Sequence, residues 1–367
     1  MITSLEINNF RMFSCLKIEK LSRVNLISGK NNAGKSSFLE SVFLHNSGFN
    51  IHSIYQVLLD REEMIDRNVK SGSISPIRHF FSNHKADVNN FSQVVIKSNI
   101  DETSIDIGYL SNTRDLFSDG IISYKESISN YDKVFNEEDL SFILNSEKTG
   151  ERVTVPYYSI YSDPMDYMRA RRRVRKPQFN TLNVPSSGAS FDDMVLLWDS
   201  ISLTNLERHI IEALKIVEER VVGVAMVQQS RESSRRIPIV KLRHIDEAVT
   251  LKSLGDGMGR IFQIILSLVN CKNGTLLIDE FENGLHWSVQ DKVWDIIFDL
   301  SKKLNIQVFC TSHSRDCISS FVKSWKDRAT EGCFFRIEND YKNELVSIKG
   351  YDMELLSDSL NYDVEVR

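Results

Sequence analysis

The sequence predicts an α/β protein in which a mixed parallel and antiparallel sheet is built around one phosphate-binding loop, with a central α+β insertion. Three observations predict it. Val24-Asn25-Leu26-Ile27-Ser28 is a short apolar run of strand type that breaks at Gly29. After Gly34-Lys35-Ser36 the chain resumes as a helical pattern with Phe38, Leu39, Val42 and Phe43 apolar. Two later strand-like runs, the apolar Gly274 to Ile278 and the mostly apolar Ile306 to Cys310, end in Asp279-Glu280 and in Thr311-Ser312-His313. Such runs are strands buried on both faces, and their carboxyl ends open on the edge of a parallel sheet where ligands bind.

The loop between the first strand and its helix reads Gly29-Lys30-Asn31-Asn32-Ala33-Gly34-Lys35-Ser36-Ser37, with the spacing G-x-x-x-x-G-K-S. Its residue types follow from phosphate chemistry. Backbone N–H groups of Asn31, Asn32, Ala33 and the first helical turn converge on one spot, and the helix dipole favours negative charge there. Gly29 and Gly34 let the main chain approach closely. Lys35 supplies a mobile charge for the β- and γ-phosphates, and the Ser36 hydroxyl is placed to reach Mg²⁺. A nucleoside triphosphate, ATP or GTP, is the expected ligand.

The remaining elements follow in chain order. Residues 1–28 read as three strands, at Ile2–Ile7, Cys15–Ile18 and Val24–Ile27. The turn Asn9-Phe10-Arg11-Met12-Phe13 between the first two is either a nucleotide contact or a hairpin turn with a packed Phe. A helix spans about 35–46 and a weaker helical stretch about 51–68. Residues 94–160 hold short strand-like runs (Val94–Lys97, Ile105–Tyr109, Arg152–Val155), read as an antiparallel β subdomain with interspersed helix. Arg169, Arg171, Arg172, Arg173, Arg175 and Lys176 form a basic run, read as a solvated face or as a contact for nucleic acid or an acidic partner. Pro185 to Ser190 is a loop. Helices follow near 191–200 and from about 205, the second with Thr204 and Glu207 as a capping pair. Val221–Val227 and Ile237–Leu242 read as sheet edges, because Pro238 cannot donate to a ladder. Lys252-Ser253-Leu254-Gly255-Asp256-Gly257 then opens a strongly apolar helix, a second anion-binding helix N-terminus. One nucleotide needs one such loop, so Ser253, Gly255 and Gly257 are expected to grip the γ-phosphate of a nucleotide held by another subunit.

Chemistry assigns the strand ends. Asp279 is placed to hold Mg²⁺ together with Ser36, Glu280 to polarise the attacking water, and His313 to reach the γ-phosphate or that water. The composition, 41% hydrophobic and 26% charged over 367 residues, is that of a globular chain. A net charge of −5 restricts any nucleic-acid contact to a local patch. The five cysteines include no C-x-x-C pair and read as reduced thiols. No apolar run approaches the roughly 20 residues of a membrane helix. The expected location is cytoplasmic.

Taken in order, Gly29–Ser36, Ser253–Gly257, Asp279-Glu280 and His313 resemble the Walker A, signature, Walker B and switch-histidine elements of an ABC-type ATPase. The form of the loop and the Asn9–Phe13 turn resemble the RecF/SMC branch. The sequences Leu251–Arg260, Leu277–His286 and Thr311–Ile318 resemble the AAA/OLD-type ATP-binding family of bacterial anti-phage defence loci. The signature departs from Leu-Ser-Gly-Gly-Gln, Glu282-Asn283-Gly284-Leu285-His286 replaces the usual Ser-Ala-Leu-Asp, and Gln93 is the Q-loop candidate. About fifty residues follow His313, too few for the Toprim nuclease domain of OLD enzymes. The resemblance implies an ABC-type ATPase head made of residues 1–50 and 235–367, with an insertion over 51–234. It further implies a homodimer or higher homo-oligomer that senses or restrains a separately encoded effector, for which a Toprim-like nuclease is a candidate. A RecF-like DNA-binding ATPase of repair or chromosome handling is the alternative; a transporter ATPase fits less well.

Overall fold

The computed structural model describes residues 1–49, 51–63, 77–82, 93–109, 140–146, 151–156, 180–189, 191–230, 233–340, 345–362 and 364–366. The chain divides into two compact units, one of Met1–Ser4, Ile18–Leu39 and Phe179–Arg367, the other of Leu5–Lys17 and Glu40–Gln178.

The first unit carries the predicted α/β sheet. Its strands are β3 (Val24–Ser28), β8 (Thr181–Val184), β12 (Thr275–Ile278), β13 (Gln307–Ser312), β14 (Gly332–Asp340) and β15 (Leu345–Tyr351), in the order β15-β14-β3-β13-β12-β8. Four pairings are parallel and the edge strand β15 is antiparallel, so the sheet is mixed as expected. Every residue of β3, β12 and β13 is buried, which is why their sequences run apolar without alternation. Helix α1 (Lys35–Asn46) leaves the loop after β3. Helix α5 (Asp256–Asn270) packs on β8 and β12, and α6 (Trp287–Lys303) and α7 (Arg315–Lys326) pack on β3. An aromatic cluster of Phe281, Trp294, Phe298, Phe321 and Trp325 joins these helices, with Phe281 stacked 4.0 Å from Trp294.

Residues 179–234 belong to this unit, although the sequence reading placed them in the insertion. The cause is pairing: β8 lies parallel to β12, with Thr181 opposite Thr275 and Val184 opposite Ile278. Helix α3 (Phe191–Ile201) and α4 (Glu207–Leu214) pack on α5. The Thr204–Glu207 pair acts one position away from the expected box. Leu206 occupies the N-cap with no side-chain cap. The Thr204 hydroxyl instead accepts from Leu206 N at 3.2 Å, and Glu207 accepts from Leu203 N at 2.9 Å. A small sheet, β11-β10-β9, is formed by β9 (Val221–Ser230), β10 (Ser233–Leu242) and β11 (Val249–Thr250). Here β10 is the middle strand, contrary to the edge expected from Pro238. The proline is tolerated because β11 pairs only with Ile239 and Val240.

The second unit is an antiparallel sheet, β2-β1-β4-β5-β6-β7, built from β1 (Leu5–Phe10), β2 (Phe13–Ile18), β4 (Gln93–Ser98), β5 (Glu102–Tyr109), β6 (Leu140–Ser146) and β7 (Glu151–Pro156). The expected β subdomain of 94–160 is its β4–β7 portion; β1 joins it by pairing Leu5–Asn8 with Val95–Ser98. Helix α2 covers Ile51–Asp60, shorter than expected. The Asn9–Phe13 turn is a packed hairpin. Phe10 and Phe13 are fully buried, and Arg11 pairs with Glu40 and Glu63 while lying 5.4 Å from the Phe80 ring. The basic run Arg169–Lys176 lies outside the described residues. Helix α8 (Met353–Asn361) ends the described helices. Among the described residues no helix is long and apolar enough to cross a membrane.

Candidate nucleotide site

Strand order assembles the site. Because β3, β13 and β12 are neighbours and parallel, their carboxyl ends deliver Gly29–Ser37, Thr311–His313 and Asp279-Glu280 to one edge of the sheet. In the loop, Gly29 (φ 154°), Asn32 (φ 61°) and Gly34 (φ 108°) take positive φ. A Cβ at Gly29 would lie 2.6 Å from the Ile337 carbonyl oxygen, so the loop can start there only with glycine. Ala33 and Lys35 are buried, whereas Lys30, Asn31 and Asn32 are exposed. Lys35 Nζ donates to the carbonyl oxygens of Gly29 (2.7 Å) and Lys30 (3.0 Å). Burial lowers its pKa, and the carboxylates of Asp279, Glu280 and Glu282 oppose that shift. The ammonium is therefore held inside its own loop, close to carboxylates and ready to exchange carbonyl partners for phosphate oxygens.

The acidic side is tied to the loop by short hydrogen bonds. The Ser36 hydroxyl donates to Asp279 Oδ2 at 2.9 Å, and the Thr311 hydroxyl donates to Asp279 Oδ1 at 2.6 Å. Thr311 Oγ1 also accepts from Glu280 N at 2.8 Å. Glu280 itself has φ 48°, and its Oε2 accepts from Asn283 Nδ2 at 2.7 Å. His313 N donates to Glu282 Oε1 at 2.9 Å. The His313 Nδ1 atom lies 3.2 Å from Glu282 Oε1 and 4.0 Å from Glu280 Oε1. The donor set of Ser36 and Asp279, one hydroxyl and one carboxylate in direct contact, fits Mg²⁺, which takes few protein ligands and completes its shell with phosphate and water oxygens.

Four side chains at this edge had no role in the sequence reading. Thr311 and Asn283 hold the two acids. Glu282 holds His313. Arg260, on α5, donates through Nη1 to Pro185 O (2.8 Å) and through Nη2 to Asp279 O (2.8 Å) and Glu280 O (3.1 Å). It is 6% exposed, and burial lowers its pKa against the pull of nearby acids. One signal could have found it: Arg260 lies on the apolar face of α5, in line with Ile264 and between Met258 and Ile261. A lone arginine there needs buried acceptors.

The glycine-rich turn before α5 belongs to the same unit. Ser253 lies in a short 3-10 turn, Leu251–Leu254, and its hydroxyl donates to Thr250 O at 2.7 Å; Ser253 and Gly255 are exposed, and Gly257 is half-buried. Beside it opens a cleft of about 690 Å³ lined by Lys252, Gly255, Asp256, Arg260, Asn283 and Gly284 among others. No residue of the Gly29–Ser37 loop lines this cleft. Gln93, the Q-loop candidate, opens β4 in the second unit, where its carbonyl accepts from Asn9 Nδ2 at 2.9 Å.

Residues 24–316 match the family described as "AAA domain, putative AbiEii toxin, Type IV TA system". An ATP/GTP phosphatase of Helicobacter pylori is 25% identical over 356 residues, covering 93% of each chain. An uncharacterized protein of Methanocaldococcus jannaschii is 44% identical over 59 residues, 16% of this chain and 27% of that one. Among solved structures, an SMC head bound to the C-winged helix domain of ScpA has a TM-score of 0.49 at 11% identity, covering 96% of this chain and 98% of that one. The SMC head domain of Thermotoga maritima has a TM-score of 0.43 at 10% identity, covering 96% and 99%.

Proposed function

We propose that this chain, which belongs to the AAA-domain family matched over residues 24–316 and is a P-loop ATPase, works as one subunit of an assembly in which each nucleotide is sandwiched between two copies. The observation that carries the reading is that, within one chain, the two glycine-rich elements do not line a common cleft. The loop, Asp279, Glu280 and His313 share one sheet edge, while the turn at Ser253–Gly257 opens on a cleft that no loop residue lines.

In this reading the loop amides and Lys35 hold the β- and γ-phosphates, as an anion at a helix N-terminus requires. Ser36 and Asp279 would hold Mg²⁺, which when bound neutralises phosphate charge. Glu280, its carboxylate fixed by Asn283 and its backbone by Thr311 and Arg260, orients and polarises the attacking water. His313 faces the γ-phosphate from the end of β13. Ser253, Gly255 and Gly257 of a second copy close the far side. The wider role is restraint or sensing of a separately encoded effector, a Toprim-like nuclease being one candidate, in phage defence from the cytoplasm. Support comes from the resemblance to AAA/OLD-type proteins and from a family description that names a toxin–antitoxin system.

Two substitutions test the site. Lys35→Ala abolishes ATP binding. Glu280→Gln retains binding, lowers turnover by roughly 10²–10⁴-fold, and holds the assembly in its ATP-bound form. Hydrolysis by Glu280→Gln at the wild-type rate sinks the assignment.

A further inference from the structure

Glu282 has no place in the scheme above, yet it is the acid nearest to His313. Its side chain is 10% exposed, and one oxygen, Oε1, meets His313 twice: it accepts the backbone N–H at 2.9 Å and lies 3.2 Å from Nδ1. The Nδ1 atom is buried and makes no hydrogen bond of good geometry, and the other carboxylate oxygen, Oε2, is likewise buried without a partner. The His313 side chain as a whole is 43% exposed, so its exposed surface lies on the rest of the ring. A buried imidazole nitrogen beside a buried carboxylate carries the ring's proton. A small ring rotation turns the 3.2 Å approach into a hydrogen bond and leaves Nε2 on the open side.

We propose that Glu282 is a positioning residue for ATP hydrolysis: its carboxylate holds the Nδ1 proton of His313, fixes the ring plane, and directs Nε2 toward the γ-phosphate. This rests on the reading of His313 as a phosphate-facing group. The spacing supports it, because Glu282 follows Glu280 by two residues on a turn that Phe281 pins by stacking on Trp294 at 4.0 Å. The two carboxylates therefore approach His313 together, Glu280 Oε1 at 4.0 Å and Glu282 Oε1 at 3.2 Å. They act differently: Glu280 Oε2 is held by Asn283 toward water chemistry, whereas the Glu282 carboxylate meets only the histidine among the hydrogen bonds and ion pairs described for it.

The test is steady-state ATPase kinetics on the full chain with Glu282→Gln, His313→Ala and the double variant, together with ¹⁵N spectra of the wild-type histidines. Glu282→Gln is isosteric and keeps an oxygen for the His313 backbone N–H. It is expected to lower kcat at least tenfold with KM for ATP within twofold, and to add nothing in the His313→Ala background. The His313 resonance, assigned by its loss in His313→Ala, is expected to show a protonated Nδ1; this measurement does not depend on whether Glu282→Gln folds. A kcat within twofold of wild type, losses that multiply in the double variant, or an unprotonated Nδ1 each overturns the proposal. Failure of the underlying reading looks different: His313→Ala then turns over at the wild-type rate, whatever Glu282→Gln does.

Discussion

Glu280 sits at φ 48°, a conformation that costs a residue with a Cβ about 1–2 kcal/mol. Its neighbours compensate: Thr311 Oγ1 accepts its N–H, Arg260 donates to its carbonyl, and Asn283 takes one carboxylate oxygen. Thr311 does two jobs with one hydroxyl, since it also donates to Asp279 Oδ1 at 2.6 Å. Thr311→Val keeps shape and burial but removes both bonds. It should destabilise the chain by about 1–3 kcal/mol and lower kcat at least tenfold, while Thr311→Ser retains most of both. Thermal melts and turnover measured side by side check this, and a Val variant with unchanged turnover would show that Glu280 holds its conformation without help. A second residue-scale prediction concerns His45. Buried in the second unit between Thr103 Oγ1 (2.7 Å) and Ser98 Oγ (2.9 Å), it is held down by burial from 6.5 to about 4. The folded state thus keeps the ring neutral where the unfolded chain protonates it. The stability this gives is fully present above pH 6.5 and is lost as pH falls toward 4, a swing of about 3 kcal/mol. Denaturant titrations at pH 7.5 and pH 4.5 should show the gap between wild type and His45→Gln shrinking by about 2–3 kcal/mol. A gap independent of pH would mean that the folded ring is not neutral.

At the scale of elements, Arg260 links α5 to the end of β12. Its guanidinium bonds three carbonyls, those of Pro185, Asp279 and Glu280, so the helix that begins beside the Ser253–Gly257 turn carries the backbone of both site acids. Arg260→Met keeps the buried stem and strands the carbonyls. It should cost about 2–4 kcal/mol and lower kcat more than it raises KM; melting curves and Michaelis constants check both, and an unchanged kcat would reduce Arg260 to packing. Such links leave little trace in a sequence, because main-chain carbonyl acceptors have no residue code. What was legible followed from burial. Strands β3, β12 and β13 are covered on both faces, so their apolar runs and polar ends announced both the sheet and the acids it delivers. Half-buried elements were less readable. The β1 pattern marks a strand but not its partner β4, and the Pro238 rule missed that a two-residue neighbour leaves a middle strand locally unpaired. Thr204 and Glu207 bond Leu206 N and Leu203 N in place of the capping box that their spacing predicts.

For the whole molecule, the sandwiched-nucleotide reading predicts that neither half of the site works alone. Lys35→Ala removes the phosphate-binding half, and Ser253→Arg places a bulky cation on the exposed turn that would close over a partner's nucleotide. Ser253 is exposed and bonds only to Thr250 among its described contacts, so this variant should fold. Each variant alone has every composite site damaged and should hydrolyse ATP at a few per cent of the wild-type rate. In an equimolar mixture that exchanges subunits, about half of the dimers carry one copy of each variant, by simple statistics of a two-fold assembly. In each mixed dimer one site collects both lesions and the other has an intact loop facing an intact Ser253–Gly257 turn. Turnover in the mixture should then recover to about a quarter of wild type if sites fire independently, and to less if both must be filled. Sedimentation with ATP adds the structural half of the test: Glu280→Gln should associate with ATP, and Ser253→Arg should not. Full activity of Ser253→Arg by itself, or a mixture no better than its components, would place the complete site within one chain and leave the turn before α5 as packing.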